Sequence, residues 1–550
     1  MKKILVLFLV LTMALGVLAA CNGSETDTST PPTSSGTSPT NSPAPTTAPI
    51  PSGEGILDPG DVIQPPDDPD VKYADFINIL VDQNIAVVDP LNPAASSLST
   101  RTVNLNVFDR LVRLTAEGTF EEQLATSWDT DDWKTFTFTL REGVTFHNGD
   151  KFTAQSVIDT CTVSNDTPGS RAIESWGSVE SITAINDYTV EIVLKAVNTG
   201  YIYSLTQDEA SIVNKAAREA DPVAGAWIGT GPFYVSDFLA NDYTTLVRND
   251  SYWGDPPPTR QLNLRHIPEM QARTIMMQNG EAHICFVISP DDMHIFVNDP
   301  DNYTIYRMVG SAAHSLAFNM NDPITGDLNF RKAVACALVR ADVALVSAGE
   351  WGYPDDRGTF WGNWTEYIDL DIPQLPYDLE LAKQYLNESS YNGEEVEIVS
   401  GIPVFHRGAE AMAAQLGAIG INVKLFATDV PTLLSHARYA DNQAQIAFHV
   451  YPFTARATSA RLMLSPGGAH NRASYNNPEV TDLLTRAPGI TDPAEREAAY
   501  KQIQAILAEE LPYINLYWRV QGKVTSSDIG GVIVDQESNY DYRFMYRIEG

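Results

Sequence analysis

Three pairs of adjacent aspartates come closest to catalytic chemistry in this 550-residue sequence: Asp131-Asp132, Asp291-Asp292 and Asp355-Asp356. Paired carboxylates act as acid and base in glycoside hydrolysis, but neighbouring residues on a strand or loop usually point apart. The sequence contains no HExxH metal motif, no GxSxG nucleophile elbow, no Walker loop and no dinucleotide fingerprint. We therefore predict that the protein is not an enzyme and has no catalytic residues, with a secreted hydrolase as the least favoured alternative.

A second group of candidate residues lies in a segment that contains cationic side chains but no acidic ones. No Asp or Glu lies between Asn442 and Pro478, although the chain as a whole carries a net charge of −34. Five residues of that segment carry or can carry positive charge: His449, Arg456, Arg461, His470 and Arg472. Because a guanidinium fork matches a planar anion, this local reversal of sign suits an anionic ligand. For Arg461 and Arg472 we favour ion pairs at the surface or between helices.

Metal and disulfide chemistry have little support in the sequence. The nine histidines are scattered, and no CxxC spacing occurs. After Cys21 only Cys161, Cys285 and Cys336 remain, an odd number with wide spacing. The apolar neighbours of Cys285 and Cys336 predict buried thiols. We expect no metal site and no cofactor.

The N-terminus has the pattern of an exported lipoprotein. Two lysines precede an apolar run that ends in Leu18-Ala19-Ala20-Cys21, which describes a secretory signal over 1–20 rather than a membrane-spanning helix. A cysteine at this position matches the bacterial lipoprotein pattern, so we predict lipidation of Cys21. An anchor with more than one acyl chain would hold the protein stably at the outer face of the cell membrane.

The segment that follows has the composition of a flexible tether. Residues 22–72 are dense in Thr, Ser, Pro and Gly and contain no basic residue before Lys72. Such a composition buries too little apolar surface to order itself, so we expect a disordered tether over 21–72. The strongly negative net charge argues against a nucleic-acid partner.

The elements that would position a site are clearest around residue 140. Phe136, Phe138 and Leu140 alternate with threonines, which predicts a half-buried strand. A tight-turn cluster over 147–150 follows, and Thr153 is a candidate N-cap for a helix that begins at Ala154.

Short β-rich runs alternate with helical runs through the rest of the chain. Strands are predicted at 396–402 and 421–426 with a helix around 407–416 between them, and a helix is predicted over 493–510. This alternation predicts an α/β fold with largely parallel central sheets. The length exceeds one ordinary core, so at least two lobes are expected.

The chain resembles the family 5 extracellular solute-binding proteins, the peptide and nickel receptors of ABC importers. The resemblance rests on EEQLATSWDTDDWKTFTFTLREGVTFHNGDKFTAQSV at 121–157, and on later landmarks in the same order. These include IGTGPFY at 228–234, LVRNDSYWG at 246–254, FRKAVACALVR at 330–340 and AQLGAIGINVK at 414–424. It covers roughly residues 75 to 550.

The resemblance implies a two-lobed, periplasmic-binding-protein-like fold of the Venus-flytrap type, with the extra subdomain of the large peptide-binding members. Two crossover strands would join the lobes near 308–314 and 517–521. Lobe I would then be 73–308 plus 520–550, with the subdomain at about 110–225, and lobe II would be 309–519. The implied function is capture of a solute by hinge closure and delivery to an ABC permease with its separate ATPase subunits.

A peptide is the first ligand that the resemblance implies, with the protein acting as a monomer. Peptide-binding members carry an Asp before a Pro in the second lobe, where this chain has IAFHVYPFTARATS at 446–459 and no acid. We therefore expect a ligand with a free α-amino group to bind weakly unless an acid from elsewhere fills the gap. The candidate ligand contacts are His314, Trp351, Trp361, His449, Tyr451, Phe453, Arg456, Tyr517 and Trp518.

Three alternatives to import of a free peptide remain open. An anionic or blocked peptide, or a metal chelate of the nickel type, would be held by Arg and His, and an oligosaccharide would stack on the tryptophans of the loop at 351–364. The same tryptophans could instead form a local hydrophobic plug. The third alternative is a surface receptor that senses its ligand without importing it.

Overall fold

The structure is a computed structural model that describes residues 55–57, 61–66, 71–115, 118–355, 361, 365–401, 403–452, 457–534 and 539–549. The predicted signal peptide, Cys21 and much of the predicted tether lie outside the described residues. Two candidate ligand contacts, Phe453 and Arg456, lie outside them as well.

The α-helices of the described chain are α1 (Leu98–Val107), α2 (Ala154–Asp166), α3 (Tyr201–Ser204), α4 (Lys215–Ala220), α5 (Met270–Gln278), α6 (Met293–Val297), α7 (Leu328–Ala337), α8 (Arg340–Ala348), α9 (Leu379–Asn387), α10 (Pro403–Gly417), α11 (Val430–His436), α12 (Arg461–Leu464), α13 (Pro478–Arg486) and α14 (Pro493–Glu510). None of these helices is both long enough and apolar enough to cross a bilayer.

The strands are β1 (Ile56–Leu57), β2 (Phe76–Val81), β3 (Val112–Leu114), β4 (Phe120–Glu122), β5 (Ala125–Asp129), β6 (Thr135–Leu140), β7 (Val179–Asn186), β8 (Thr189–Leu194), β9 (Phe233–Leu239), β10 (Tyr243–Arg248), β11 (Gln261–His266), β12 (Ile284–Cys285), β13 (Tyr303–Phe318), β14 (Gly352–Pro354), β15 (Glu395–Ser400), β16 (Asn422–Ala427), β17 (Ile446–Pro452), β18 (Tyr513–Ser526), β19 (Ile529–Gly530), β20 (Ile533–Val534), β21 (Tyr540–Asp541) and β22 (Tyr546–Arg547).

One twelve-stranded sheet runs through the molecule in the order β16-β15-β17-β13-β18-β12-β2-β11-β10-β9, with β1 and β14 added to β13 and β18. The two longest strands, β13 and β18, are antiparallel neighbours at its centre. Parallel pairing is confined to β2 with its two neighbours, β15 with its two neighbours, and the short β1. The expectation of largely parallel sheets is therefore wrong. Hairpins and the long central pair supply the antiparallel ladders.

The unit predicted around residue 140 is confirmed. β6 buries Phe136, Phe138 and Leu140 and exposes the threonines between them. Thr153 precedes α2, and its backbone N–H donates to Ser156 Oγ at 3.2 Å. β6 lies within a separate four-stranded sheet, β5-β6-β8-β7, whose buried side chains form their own cluster with α2 and α3. This cluster supports the expected subdomain.

Further elements also form where the patterns predict them. β15, α10 and β16 follow one another as expected, and the two strands are parallel. α14 begins at Pro493 behind the N-cap Asp492, whose side chain accepts from the Glu495 N–H. Cys161, Cys285 and Cys336 are free and buried.

Four buried apolar clusters each lie within one of the expected lobes, and a fifth joins Trp351 of the expected second lobe to Met293 and Val520 of the first. Two clusters draw their members from 313–518. Another joins β2, α1 and β11 to residues 529–545 at the end of the chain. The fold is therefore two-lobed, with the first lobe completed by the C-terminal segment. The lobe boundaries given above remain our proposal.

The tether ends earlier than predicted. β1 pairs in parallel with β13 through Ile56↔Ile305 and Leu57↔Tyr306, and both of its side chains pack on first-lobe clusters. The Ile63 carbonyl accepts from the Gly531 N–H at 3.0 Å. The expectation of disorder up to residue 72 is wrong for this part, because a few apolar residues within a polar segment are enough to add an edge strand.

Candidate functional site

Four polar side chains lie along one face at the centre of β18. Tyr517, Arg519, Gln521 and Lys523 are spaced two apart, so they share one face of the strand. They lie on the stretch of β18 that pairs with β13 and that includes the proposed crossing between the lobes. We call these four residues, together with Asp82, the crossing site.

Lys523 is the buried cation of the crossing site. Its side chain has no exposed surface, and its Nζ donates to Gln521 Oε1 at 2.7 Å. The ammonium also lies 5.7 Å from the ring centroid of Tyr540. Burial, opposed by the charge of Asp82 and reinforced by that of Arg519, lowers the pKa of Lys523 to about 8.

Arg519 is partly exposed and only partly satisfied. Its Nε is buried and has no hydrogen-bond acceptor among the described residues. Burial lowers the pKa of Arg519, while Tyr517 and Asp82 raise it. A buried guanidinium N–H without an acceptor is destabilising.

Asp82 is the acid that acts on both cations. It directly follows β2, at the carboxyl end of a strand flanked by two parallel neighbours. Such strand ends are where α/β sheets commonly bind ligands. The crossing site thus combines two cations with one carboxylate.

Packed aromatic rings lie next to these charged residues, on the side of the second lobe. The ring of His314 stacks on Tyr517 with centroids 4.3 Å apart and planes at 13°, and it meets Phe405 edge-on at 5.0 Å. His314 and Tyr517 are both almost fully buried. Two of the predicted contacts are therefore brought together, next to Arg519.

His449 and Tyr451 lie on the other face of the sheet. The register pairs His314 with Val450 and Ser315 with His449, so His314 and His449 point to opposite faces. The rings of His449 and Tyr451 are 3.8 Å apart, and burial, then the charge of Arg472, holds the pKa of His449 well below its usual range. The structure therefore divides the predicted contacts into two groups.

The two arginines that were assigned to ion pairs behave differently. Arg461 forms a 3.8 Å pair with Glu174, as expected. Arg472 is buried beside His449, and no carboxylate partner for it occurs in the described part of the chain. The expectation of an ion pair is therefore wrong for Arg472.

The predicted tryptophan contacts are packed inside apolar clusters. Trp351 joins Met293 and Val520, and a Cβ at Gly522 would come within 3.1 Å of its ring. Trp361 and Trp518 belong to a second-lobe cluster. These positions favour the hydrophobic-plug alternative, and a ligand role for the three tryptophans remains a prediction.

Sequence reasoning missed Asp82, Arg519 and Lys523. One signal was available in the sequence, because two cations at even spacing, Arg519 and Lys523, interrupt the β-rich run YINLYWRVQGKVTS at 513–526. A cation on the buried face of a strand needs a partner or a function. No local signal connects this strand to Asp82.

Comparisons with known proteins agree with this architecture. The family model of bacterial extracellular solute-binding proteins, family 5 Middle, matches residues 119–466. The nickel-binding periplasmic protein of Escherichia coli (strain K12) is 23% identical over 475 residues, which cover 81% of this chain and 90% of that protein.

Two solved structures share the fold. The ABC transporter substrate-binding protein CtaP from Listeria monocytogenes superposes with a TM-score of 0.79 at 22% identity, over 87% of this chain and 100% of that one. The periplasmic binding protein DppA from Helicobacter pylori, in complex with the peptide STSA, gives 0.73 at 23% identity, over 87% and 99%.

Proteins of this family bind solutes for ABC importers and are not enzymes. They work outside the cytoplasm and deliver the bound solute to a permease. The model match spans more than half of the sequence, so this chain belongs to the family 5 bacterial extracellular solute-binding proteins.

Proposed function

We propose that this solute-binding protein captures a small peptide with a free carboxylate at the crossing site and carries it to the permease. The observation that carries the proposal is Arg519, a partly exposed arginine at the strand crossing whose Nε has no acceptor among the described residues. The DppA structure with a bound peptide gives the ligand class a precedent at the level of the fold.

The carboxylate of the ligand would pair with Arg519. A guanidinium binds a carboxylate through two parallel N–H donors, and the buried Lys523 behind it adds positive potential without contacting solvent. Removing one partner of a buried charge pair typically costs several kcal/mol, so Arg519 would supply much of the selectivity.

Asp82 supports a ligand that also carries an ammonium group. The segment 446–459 has no acid, which led us to expect weak binding of a free α-amino group unless another acid replaced it. Asp82 is partly exposed and acts electrostatically on Arg519. A zwitterionic peptide would thus find a cation and an anion at one site.

Contacts between the lobes support capture by closure. Arg407 on α10 pairs with Asp291 at 3.3 Å. On another part of the interface, the backbone N–H and the hydroxyl of Thr199 both donate to the Pro488 carbonyl, at 2.9 and 3.0 Å. These two contacts are polar, whereas Trp351 packs with Met293 and Val520 across the same proposed boundary.

A metal chelate is the second candidate. Its carboxylates would suit Arg519 equally well, and the Escherichia coli relative is a nickel-binding protein. A chelate brings its own ligands to the metal, so it would not need a metal site built from protein side chains. An oligosaccharide has less support, because Trp351 and Trp361 are packed inside apolar clusters.

Anchoring through Cys21 is also part of the proposal. If a diacylglyceryl group on Cys21 holds the protein at the membrane, Cys21→Ser should release it into the medium or leave an uncleaved precursor. Membrane fractionation of the variant and the wild type measures this. Unchanged fractionation with normal processing would contradict the anchor.

Calorimetry on a matched peptide set tests the ligand class. A short free peptide, its C-terminal amide and its N-acetyl derivative differ in one charge each. We expect the amide to bind much more weakly than the free peptide, with a smaller loss for the acetylated form. Equal binding of the amide would rule out the carboxylate contact, and binding of a chelate in preference to all three peptides would favour the second candidate.

A further inference from the structure

The Trp351 side chain joins the two lobes beside β18. Trp351 directly precedes β14 and belongs to the expected second lobe, yet it packs with Met293 and Val520 in an apolar cluster that comes mainly from the first lobe. The side chains of Trp351 and Met293 are almost fully buried. The indole therefore connects the lobes through buried apolar surface, unlike the exposed pair of Arg407 and Asp291.

The backbone of β18 has a break in its pairing next to this indole. β14 of the second lobe pairs with residues 517–519, and β12 of the first lobe pairs with residues 524–525. Between them, residues 520–523 have no partner strand on this edge within the described chain. On the other edge, β13 shifts its register between Val309 and Ala313. Because a strand bends most readily where its ladder is interrupted, the lobes can rotate relative to each other about this stretch.

Gly522 provides the space that the indole occupies. It lies within the unpaired stretch, and a Cβ at this position would come within 3.1 Å of the Trp351 ring and would also collide with the Met293 side chain. A gap of about 0.5–1 Å already removes a quarter to a half of the energy of a van der Waals contact. The packing of the indole is therefore specific to this arrangement of the lobes.

A second contact from the second lobe reaches the same short segment of the first lobe. Arg407 on α10 pairs with Asp291 at 3.3 Å, and Met293, two residues later, begins α6. The lobes thus touch at Asp291 through an exposed ion pair and at Met293 through buried apolar surface. Burial of a large apolar side chain stabilises more than an exposed ion pair does, so the indole makes the stronger of the two contacts.

We propose that Trp351 is a closure latch, in which the indole packs on Gly522 and against Met293 and stabilises the closed arrangement of the lobes. Trp351 is then a positioning residue that acts on affinity through the lobes and does not contact the solute. This proposal rests on capture by lobe closure and is independent of which solute is captured. Because apparent affinity rises with the fraction of the binding-competent form, the latch raises the affinity for every solute by the same factor.

Small-angle scattering of the unliganded mature chain tests the latch. We expect Trp351→Ala to increase the radius of gyration, because the closed arrangement loses its buried apolar contact. Gly522→Ala keeps the indole but fills its space, so it should shift the scattering in the same direction. Met277→Ala is the matched control. Met277 belongs to the same cluster but lies on α5 within the first lobe, so this variant should be less stable in urea with unchanged scattering.

Calorimetry with a short free peptide and its N-acetyl derivative separates a latch from a ligand contact. In Trp351→Ala both affinities should fall by the same factor, about tenfold, because the closed fraction is reduced for both peptides. A loss confined to one of the two peptides would overturn the latch and make Trp351 a ligand contact. If neither peptide binds the wild type, the peptide proposal fails, and the scattering still decides whether Trp351 is a latch.

Circular dichroism establishes that each variant is folded. Unchanged scattering in folded Trp351→Ala would overturn the latch, and so would an equal increase in Met277→Ala. If Trp351→Ala does not fold, the scattering of Met293→Ala decides in its place, since this substitution removes the first-lobe partner of the indole.

Discussion

The Asp208 cluster and the crossing site both bury arginine charge, yet they are built differently. Asp208 has no exposed surface and accepts from Arg101 at 3.1 Å, Asn104 at 3.1 Å and Arg171 at 2.8 Å. At the crossing site Arg519 and Lys523 share a single acid, Asp82, and the Nε of Arg519 has no acceptor in the described chain.

This difference separates structural charge from functional charge. The carboxylate of the Asp208 cluster is saturated by its protein partners and offers nothing to a ligand. The crossing site is left with spare positive charge, which destabilises the unliganded protein and favours binding of an anion. The predictions below test this contrast in order of decreasing expected effect.

Asp208→Asn should destabilise the protein by about 3–5 kcal/mol, because it removes the buried counter-ion of Arg101 and one of the two acids, with Glu209, that pair with Arg171. Urea unfolding measures the change. Asp250→Asn, which removes an exposed partner of Arg248, is the matched control and should change the stability by less than about 1 kcal/mol. Solute affinity should be unchanged by either substitution.

The pH dependence of the free energy of unfolding gives a second measure of how much the Asp208 cluster stabilises the protein. Burial alone would raise the pKa of Asp208, but Arg101 and Arg171 lower it to about 2. Because the folded pKa lies below the unfolded value of about 3.9, this stabilisation is present above about pH 4 and is lost as the pH falls toward 2. An acid limb of unfolding that is unchanged in Asp208→Asn would contradict the assignment.

Lys523→Met should stabilise the unliganded protein, in contrast to Asp208→Asn. The folded pKa of about 8 lies below the usual value of about 10.4, so the unfolded state binds more protons between these values. Wild-type stability should therefore rise with pH from about 8 to 10, by on the order of 3 kcal/mol. Methionine at position 523 should remove that rise.

Solute affinity should change with pH in the opposite direction to the stability of the unliganded protein. An anionic solute should bind less tightly as the pH rises through about 8 and Lys523 loses its charge. Lys501→Met, at an exposed lysine paired with Glu497, is the control for both measurements. Loss of stability at pH 7 in Lys523→Met would show that Lys523 belongs to a satisfied network like that of Asp208.

Arg519→Gln should weaken solute binding by about 2 kcal/mol or more without lowering the stability of the unliganded protein. The affinity loss should be largest for the free peptide and smallest for its C-terminal amide, which has no carboxylate to lose. Arg248→Gln serves as the surface control. Equal losses for the peptide and the amide would place the carboxylate elsewhere.

The smallest effect is expected from the closure contact. Arg407→Ala removes an exposed interlobe pair, and such pairs contribute about 0.2–1 kcal/mol. Small-angle scattering should show a modest shift toward the open form without solute, and little change when solute is saturating. Arg438→Ala, which breaks a pair within one lobe, should leave the scattering unchanged.

Local patterns were sufficient for the individual elements. The alternation in β6, the cap before α2, the proline that opens α14 and the apolar surroundings of the cysteines all predicted what formed. Each depends on side chains within a few residues of one another, so the physics that determines it lies inside a short window of sequence.

The site depended on contacts that no such window contains. The strand register places His314 and His449 on opposite faces of the sheet. The apolar residues near position 56 form a short strand that pairs with β13. Asp82 acts electrostatically on Arg519 and Lys523 because β2 and β18 both flank β12.

The sequence by itself determined the family, the α/β character and the absence of the common catalytic motifs, because those lie in short ordered stretches of residue types. Only the tertiary structure decided which charges remain unsatisfied. The sequence does not show whether a buried arginine is paired with a carboxylate, as beside Asp208, or has an Nε without an acceptor among the described residues, as at Arg519. That outcome depends on the partners that distant strands and helices bring to it.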